Sequence, residues 1–177
     1  MTFAGFDIEV SGLTLSPEEI SVLRHLHELS LTTGFEYGQA QNTLGFTDEF
    51  TSSNCNHVNI PDWVYDGKPI RLYHSHTNET LFSRQDYVLL LTGQVERISV
   101  VAITGEIFSA YNISGDIPPI DEYWETVANI VQEVDLQMIE DPRLFDLDFR
   151  SREIVTYREQ SYQIARHYKW ILEGGTP

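Results

Sequence analysis

Tyr73-His74-Ser75-His76-Thr77-Asn78-Glu79-Thr80-Leu81-Phe82-Ser83-Arg84-Gln85-Asp86 decides how the rest of the chain is read. The turn Asp66-Gly67-Lys68-Pro69 delivers an apolar strand over 70–76 that runs into it. Side chains alternate along a strand, so Ile70, Leu72, His74 and His76 share one face while Arg71, Tyr73 and Ser75 share the other. Both imidazoles therefore converge at the end of a face that Ile70 and Leu72 bury, where desolvation favours neutral imidazole and strengthens a metal bond. Ser83 is suited to cap a helix over 84–91 that Gly93 closes, which places Asp86 in the first turn beside the positive end of the helix dipole. Alone, Ser-x-x-Asp is a common capping arrangement and His-x-His a pair of exposed histidines. Together they are more specific. Two imidazoles and one carboxylate leave the fourth tetrahedral position of zinc open, as in a catalytic rather than a structural site.

His25-Leu26-His27 has the same spacing and serves as an internal control. It falls in an amphipathic helix opened by Ser16-Pro17-Glu18-Glu19, with Ser16 as N-cap, Pro17 at the first position and Glu19 reaching back. Residues two apart on a helix diverge by about 200°, so these histidines do not chelate together. Ile20, Leu23, Leu26 and Leu29 form the apolar stripe of that helix and Gly34 stops it. His167, in the last predicted helix, is set aside as a surface residue in the same way.

Working outward, residues 3–10 alternate loosely as a first strand, and 35–50 read as short strands with turns at Asn42 and Gly45. Another short strand is expected over 57–60, ended by Pro61. A hairpin follows the central stretch, with strands over 98–103 and 106–113 joined at Thr104-Gly105. A Pro/Gly break at 115–119 leads to two helices, over 123–139 and 152–172, the second ending at Gly174-Gly175 as a helix C-cap. The expected organisation is a core over 1–115 and a helical extension over 116–177 packed on it, one structural domain in all. Trp124, Trp170, Tyr123, Tyr162 and Tyr168 supply the aromatic surface for that packing.

Composition narrows the chemistry further. The chain has 177 residues and one cysteine, Cys55, so it contains no internal disulfide and no Cys-rich metal knuckle, and any metal would rest on histidines and carboxylates. The same count excludes a zinc nucleobase deaminase, which needs a Pro-Cys-x-x-Cys partner motif. Eleven Lys and Arg against 27 Asp and Glu give a net charge of -16, which argues against nucleic acid and suits a basic protein or peptide partner. No apolar run reaches the roughly 20 residues that span a bilayer, and the first residues lack the pattern of a signal peptide. A soluble, cytoplasmic protein is expected.

The full spacing, His-x-His, six residues, then Ser-x-x-Asp, resembles the signature of the JAMM (MPN+) metalloprotease family. That family carries an upstream glutamate, a His-Ser/Thr-His-Pro motif and a Ser-x-x-Asp. The resemblance is strongest over 70–113 and extends back to residue 35. Thr77 stands where the family usually has proline, and the spacer to Ser83 is short, as in prokaryotic and phage-associated members. The resemblance implies an α/β fold with a curved mixed β-sheet flanked by helices and a helical C-terminal cover. It implies that His74, His76 and Asp86 bind zinc, that Ser83 stabilises the tetrahedral intermediate, and that a glutamate acts as general acid/base on the attacking water. Glu36, in Phe35-Glu36-Tyr37-Gly38, matches that glutamate, with Glu49 and Glu79 as rivals; the chain has Glu-x-Gly where family members often have Glu-x-x-Gly. The implied activity is hydrolysis of peptide or isopeptide bonds in a protein or peptide substrate, ubiquitin-like conjugates included. The alternative is a non-catalytic protein-interaction module of the same fold.

Overall fold

The computed structural model describes residues 12–112 and 117–175, so the strand expected over 3–10 and part of the 115–119 break lie outside the described residues. The first described helix, α1 (Pro17–Thr33), begins with a complete capping box: Ser16 Oγ accepts from the Glu19 N–H, and the Glu19 carboxylate accepts from the Ser16 N–H. It ends at Gly34, whose φ of 74° is the left-handed conformation that glycine adopts without a Cβ penalty. Strands β1 (Tyr37–Asn42), β2 (Gly45–Phe46) and β3 (Phe50–Thr51) follow, with β1 pairing antiparallel to both of the others. The turn between β1 and β2 uses Asn42 and Gly45, with Gly45 at φ 114°.

Strand β4 (Ile70–Ser75) then enters the middle of the sheet, antiparallel to β1 and parallel to β5 (Val95–Val101). The crossover between these parallel neighbours is α2 (Arg84–Leu91). β6 (Ile107–Tyr111) pairs antiparallel with β5, completing the expected hairpin. Two long helices, α3 (Ile120–Glu140) and α4 (Phe149–His167), precede a last strand, β7 (Ile171–Gly175). Among the described residues the fold is thus mixed α/β: four α-helices and a seven-stranded mixed sheet ordered β2-β1-β4-β5-β6-β7, with β3 also on β1. None of these helices is long and apolar enough to cross a membrane.

The alternation of β4 sorts the core into two layers. Ile70 and Leu72 face a cluster with Tyr87 and Leu90 of α2, Tyr123 and Val127 of α3, and Ile164 of α4. Tyr73, on the opposite face, packs with Leu23 and Leu26 of α1 and with Val101 and Ile107. Each large apolar side chain fully buried this way contributes about 1.5–3 kcal/mol relative to exposure. The late aromatics belong mainly to the first layer: Trp170 lies 5.3 Å from Tyr87 and 4.9 Å from Tyr168 between ring centroids, and Tyr123 is fully buried. Trp124 stays 39% exposed.

Two expectations are corrected. Residues 57–60 form no strand; the segment around them is shaped by side chains bonding backbone, with Asn54 Oδ1 accepting from the Asn56 N–H and Ser52 Oγ from the Asn59 N–H. Gly174-Gly175 does not cap a helix. α4 stops at His167, Lys169 takes a positive φ of 56°, and the Trp170 N–H reaches back to the Ala165 carbonyl. The chain then turns into β7, where Gly174 and Gly175 pair with Phe108 and Ile107. Glu173 holds this strand in place: its buried carboxylate accepts from Thr14 N–H and Oγ1, the Tyr111 hydroxyl and the Arg97 guanidinium. The C-terminal segment therefore completes the sheet as well as covering it.

Candidate metal centre

The C-terminal end of β4 is where ligands gather in sheets with parallel neighbours, because the strand there gives way to a crossover loop and a helix N-terminus. His74 lies within β4, between Gly38 of β1 and Val100 of β5. His76 follows the strand but stays in register, its N–H bonded to the Val101 carbonyl at 2.8 Å. The loop then returns to Ser83, the N-cap of α2. Ser83 Oγ accepts from the Asp86 N–H at 3.1 Å, and the Asp86 carboxylate accepts from the Ser83 N–H at 2.6 Å. This capping box aims Asp86 at both imidazoles, with Nε2–Oδ distances of 3.5 Å to His74 and 3.4 Å to His76.

His74, His76 and Asp86 are all buried, and one ligand atom from each lies within 4.8 Å of the others. They could hold a metal ion, and the chemistry of the donors fits one. His74 Nε2 is buried without a hydrogen-bond partner, which is costly for a ring nitrogen left to the protein alone. His76 turns Nδ1 toward the Thr80 carbonyl at 3.2 Å, a bond that fixes the ring and directs Nε2 to the common point. Burial draws the His74 pKa down to about 4, against the pull of Asp86, so this imidazole is neutral at pH 7. Burial would raise Asp86, but the two histidines and the Ser83 side chain hold it well below the usual carboxylate range. His76 is raised despite its burial, by its bond to Asp86 and by the charges of Asp86 and Glu36.

Glu36 sits just ahead of β1 and is 4% exposed. Burial pushes its carboxyl up to about 7, with Asp86 adding to the rise while His76 and the Thr77 N–H oppose it. A carboxyl that exchanges its proton near neutrality is suited to general acid/base work. It lines one cleft, about 590 Å³, together with His74, His76, Asp86 and Ser83. Neither of the other two candidate glutamates lines that cleft. Glu49 is exposed and faces His25 at 3.8 Å, and Glu79 pairs with Arg150 at 2.9 Å. His25 and His27 point apart, as expected of a helix: His27 Nε2 meets the Ile103 carbonyl. Sequence reasoning missed the rim of the cleft, formed by Asn56, His57, Val58, Asn59 and Ile60. No periodic signal marks an irregular loop of this kind. It also missed the arginines of α4 that hold the loop between His76 and Ser83, Arg150 on the Glu79 side chain and Arg158 on the Glu79 carbonyl and Glu106.

Comparison of the chain with protein-family models, with curated proteins and with solved structures gives no match.

Proposed function

We propose that the chain is a zinc-dependent hydrolase of peptide or isopeptide bonds with a JAMM-type mechanism. The observation that carries this reading is the convergence of buried His74, His76 and Asp86 in one cleft with Glu36, a carboxyl raised to about 7. His74, His76 and Asp86 would hold the zinc, which when bound supplies a Lewis acid and lowers the pKa of water toward neutrality. Glu36 takes a proton from the attacking water and returns one to the leaving amine. The Ser83 hydroxyl, which lines the same cleft, gives up its contact with the Asp86 carboxylate to donate to the oxyanion that develops at the scissile carbonyl. The products are a carboxylate and an amine, and the water is consumed. The substrate class is a polypeptide, ubiquitin-like conjugates included.

The test measures zinc per chain, then hydrolysis of a panel of peptide and isopeptide linkages. Wild type should hold one equivalent and His74→Ala/His76→Ala none. Glu36→Gln should retain zinc and lose activity by about 10²–10⁴-fold, the usual worth of a general base. A wild-type chain free of zinc at micromolar metal would overturn the proposal, as would a Glu36→Gln variant as fast as wild type.

A further inference from the structure

The ligand cleft does not end at Ser83. A second cleft, about 620 Å³, begins there, and the two share Asn78, Thr80, Ser83 and Gln85 along their common edge. One wall of the second cleft is the loop between His76 and α2; the other comes from the C-terminal helices. Phe82 and Ile154 are buried in its lining, while Trp124 of α3 and Tyr157 of α4 remain 39% and 44% exposed and offer ring surface to whatever enters. Its charged groups largely offset one another: Arg150 is bonded to Glu79 across the cleft, and Arg84 and Glu153 add one charge of each sign. The two walls are tied together, since α4 grips the loop through Arg150 and Arg158. The loop that ends at Ser83 is therefore tethered to the helix that carries Tyr157 by one ion pair and one charged hydrogen bond.

Building on the hydrolase reading, we infer that this second cleft is a specificity subsite that takes a bulky apolar side chain, aromatic or branched aliphatic, of the polypeptide substrate near its scissile bond. Continuity decides the occupant. An extended chain advances about 3.3 Å per residue, so a substrate whose carbonyl lies by Ser83 carries its next side chains along the shared edge into this cleft. Exposed Trp and Tyr surface beside buried aliphatic groups, with the charges offset in sign, favours an apolar side chain over a charged one. Tyr157 and Trp124 are specificity-determining residues in this arrangement.

The experiment uses capped alanine heptapeptides bearing a single Phe, Leu, Lys or Asp at each position in turn. With zinc-loaded wild type, Phe or Leu at one flanking position should raise kcat/KM by about ten-fold or more over alanine, through KM, the scale on which an apolar pocket discriminates. Tyr157→Ala, a change at a half-exposed residue, should bring that ratio close to one, and Tyr157→Phe should keep it. In a second arm, metal-free Glu36→Gln is titrated with the same peptides while Trp124 emission is followed, with Trp124→Phe as the blank. Saturable binding of the Phe peptide there, lost in Tyr157→Ala, supports the subsite even if no peptide is cleaved; in that case the hydrolase reading fails and the subsite stands. Cleavage without any side-chain preference, tighter binding of the Lys or Asp peptide, or no change in Trp124 emission at millimolar peptide would each overturn the inference. So would a dimer in solution that Tyr157→Ala dissociates, which would make this face an interface between copies.

Discussion

Glu36→Gln should make the metal-free protein more stable, and increasingly so as pH rises. The side chain is 4% exposed, and its carboxyl is displaced from the ordinary 4.5 up to about 7 by burial first and by Asp86 second. The folded carboxyl keeps its proton to a higher pH than the unfolded one. Between pH 4.5 and 7 the unfolded state therefore binds fewer protons, and stability falls as pH rises through that window. At about 1.4 kcal/mol per pH unit the full loss reaches roughly 3 kcal/mol by pH 8, most of it accruing above pH 5. Glutamine matches the shape and carries no charge, so it escapes the penalty while still accepting from the Thr77 N–H. Urea unfolding of both proteins with EDTA present, at pH 5, 6, 7 and 8, gives the difference directly. The variant should exceed wild type by under about 1 kcal/mol at pH 5 and by about 3 kcal/mol at pH 8. A difference that stays flat across the series, or a variant less stable than wild type at pH 8, would refute the idea that Glu36 is a strained buried base. The same substitution is expected to slow catalysis by about 10²–10⁴-fold, so one residue would trade stability against activity.

Zinc at a hundred times its Kd should add about 2.7 kcal/mol to wild-type stability and nothing to His74→Ala/His76→Ala, read as the shift of the urea midpoint. Gly38→Ala drives its Cβ into the Phe50 ring, across the β1–β3 pair, at the residue directly opposite His74; a loss of about 1–3 kcal/mol is expected, with weaker zinc retention on dialysis. Tyr73→Phe removes the hydroxyl that donates to Glu19 Oε1 at 2.8 Å, leaving a buried carboxylate one partner short, and should cost about 1–3 kcal/mol by thermal or urea unfolding. Because Tyr73 faces α1 and not the cleft, zinc stoichiometry should be unchanged in that variant.

What the sequence disclosed follows the range of the interactions involved. The strand-loop-helix unit holding His74, His76, Ser83 and Asp86 is specified locally: alternation sets the faces of β4, and Ser83 with Asp86 closes the first turn of α2. Both capping boxes, at Ser16 and Ser83, were legible because each uses residues three apart. The C-terminal strand was not. Ile171-Leu172-Glu173-Gly174-Gly175 continues a helical pattern by eye, and its conversion to a strand depends on partners far away in sequence: Phe108 and Ala110 in β6, and Thr14 and Arg97 around Glu173. The failed strand at 57–60 has the converse cause, since Asn and Ser side chains take up backbone donors that a ladder would need.

Ser-x-x-Asp raised a choice between a helix cap and a metal-binding pair, and the geometry is compatible with both at once. Asp86 can face two imidazoles at 3.4–3.5 Å because the Ser83 N–H, at 2.6 Å, fixes its carboxylate from behind. Freed of that bond the side chain would rotate, and an unrestrained carboxylate is a poorer partner for two fixed rings. The Asp86 N–H bond in turn occupies one lone pair of Ser83 Oγ, so capping orients the hydroxyl beside the Asp86 carboxylate at the edge of the cleft. Helix α4 restrains the same loop from outside. Arg158 bonds the Glu79 carbonyl and Glu106 together, so the loop between His76 and Ser83 is held at its middle as well as at its ends. A helix distant in sequence thereby restrains the loop between groups that lie close in sequence, which is why the candidate ligands could be named from the local motif while the shape of their cleft could not.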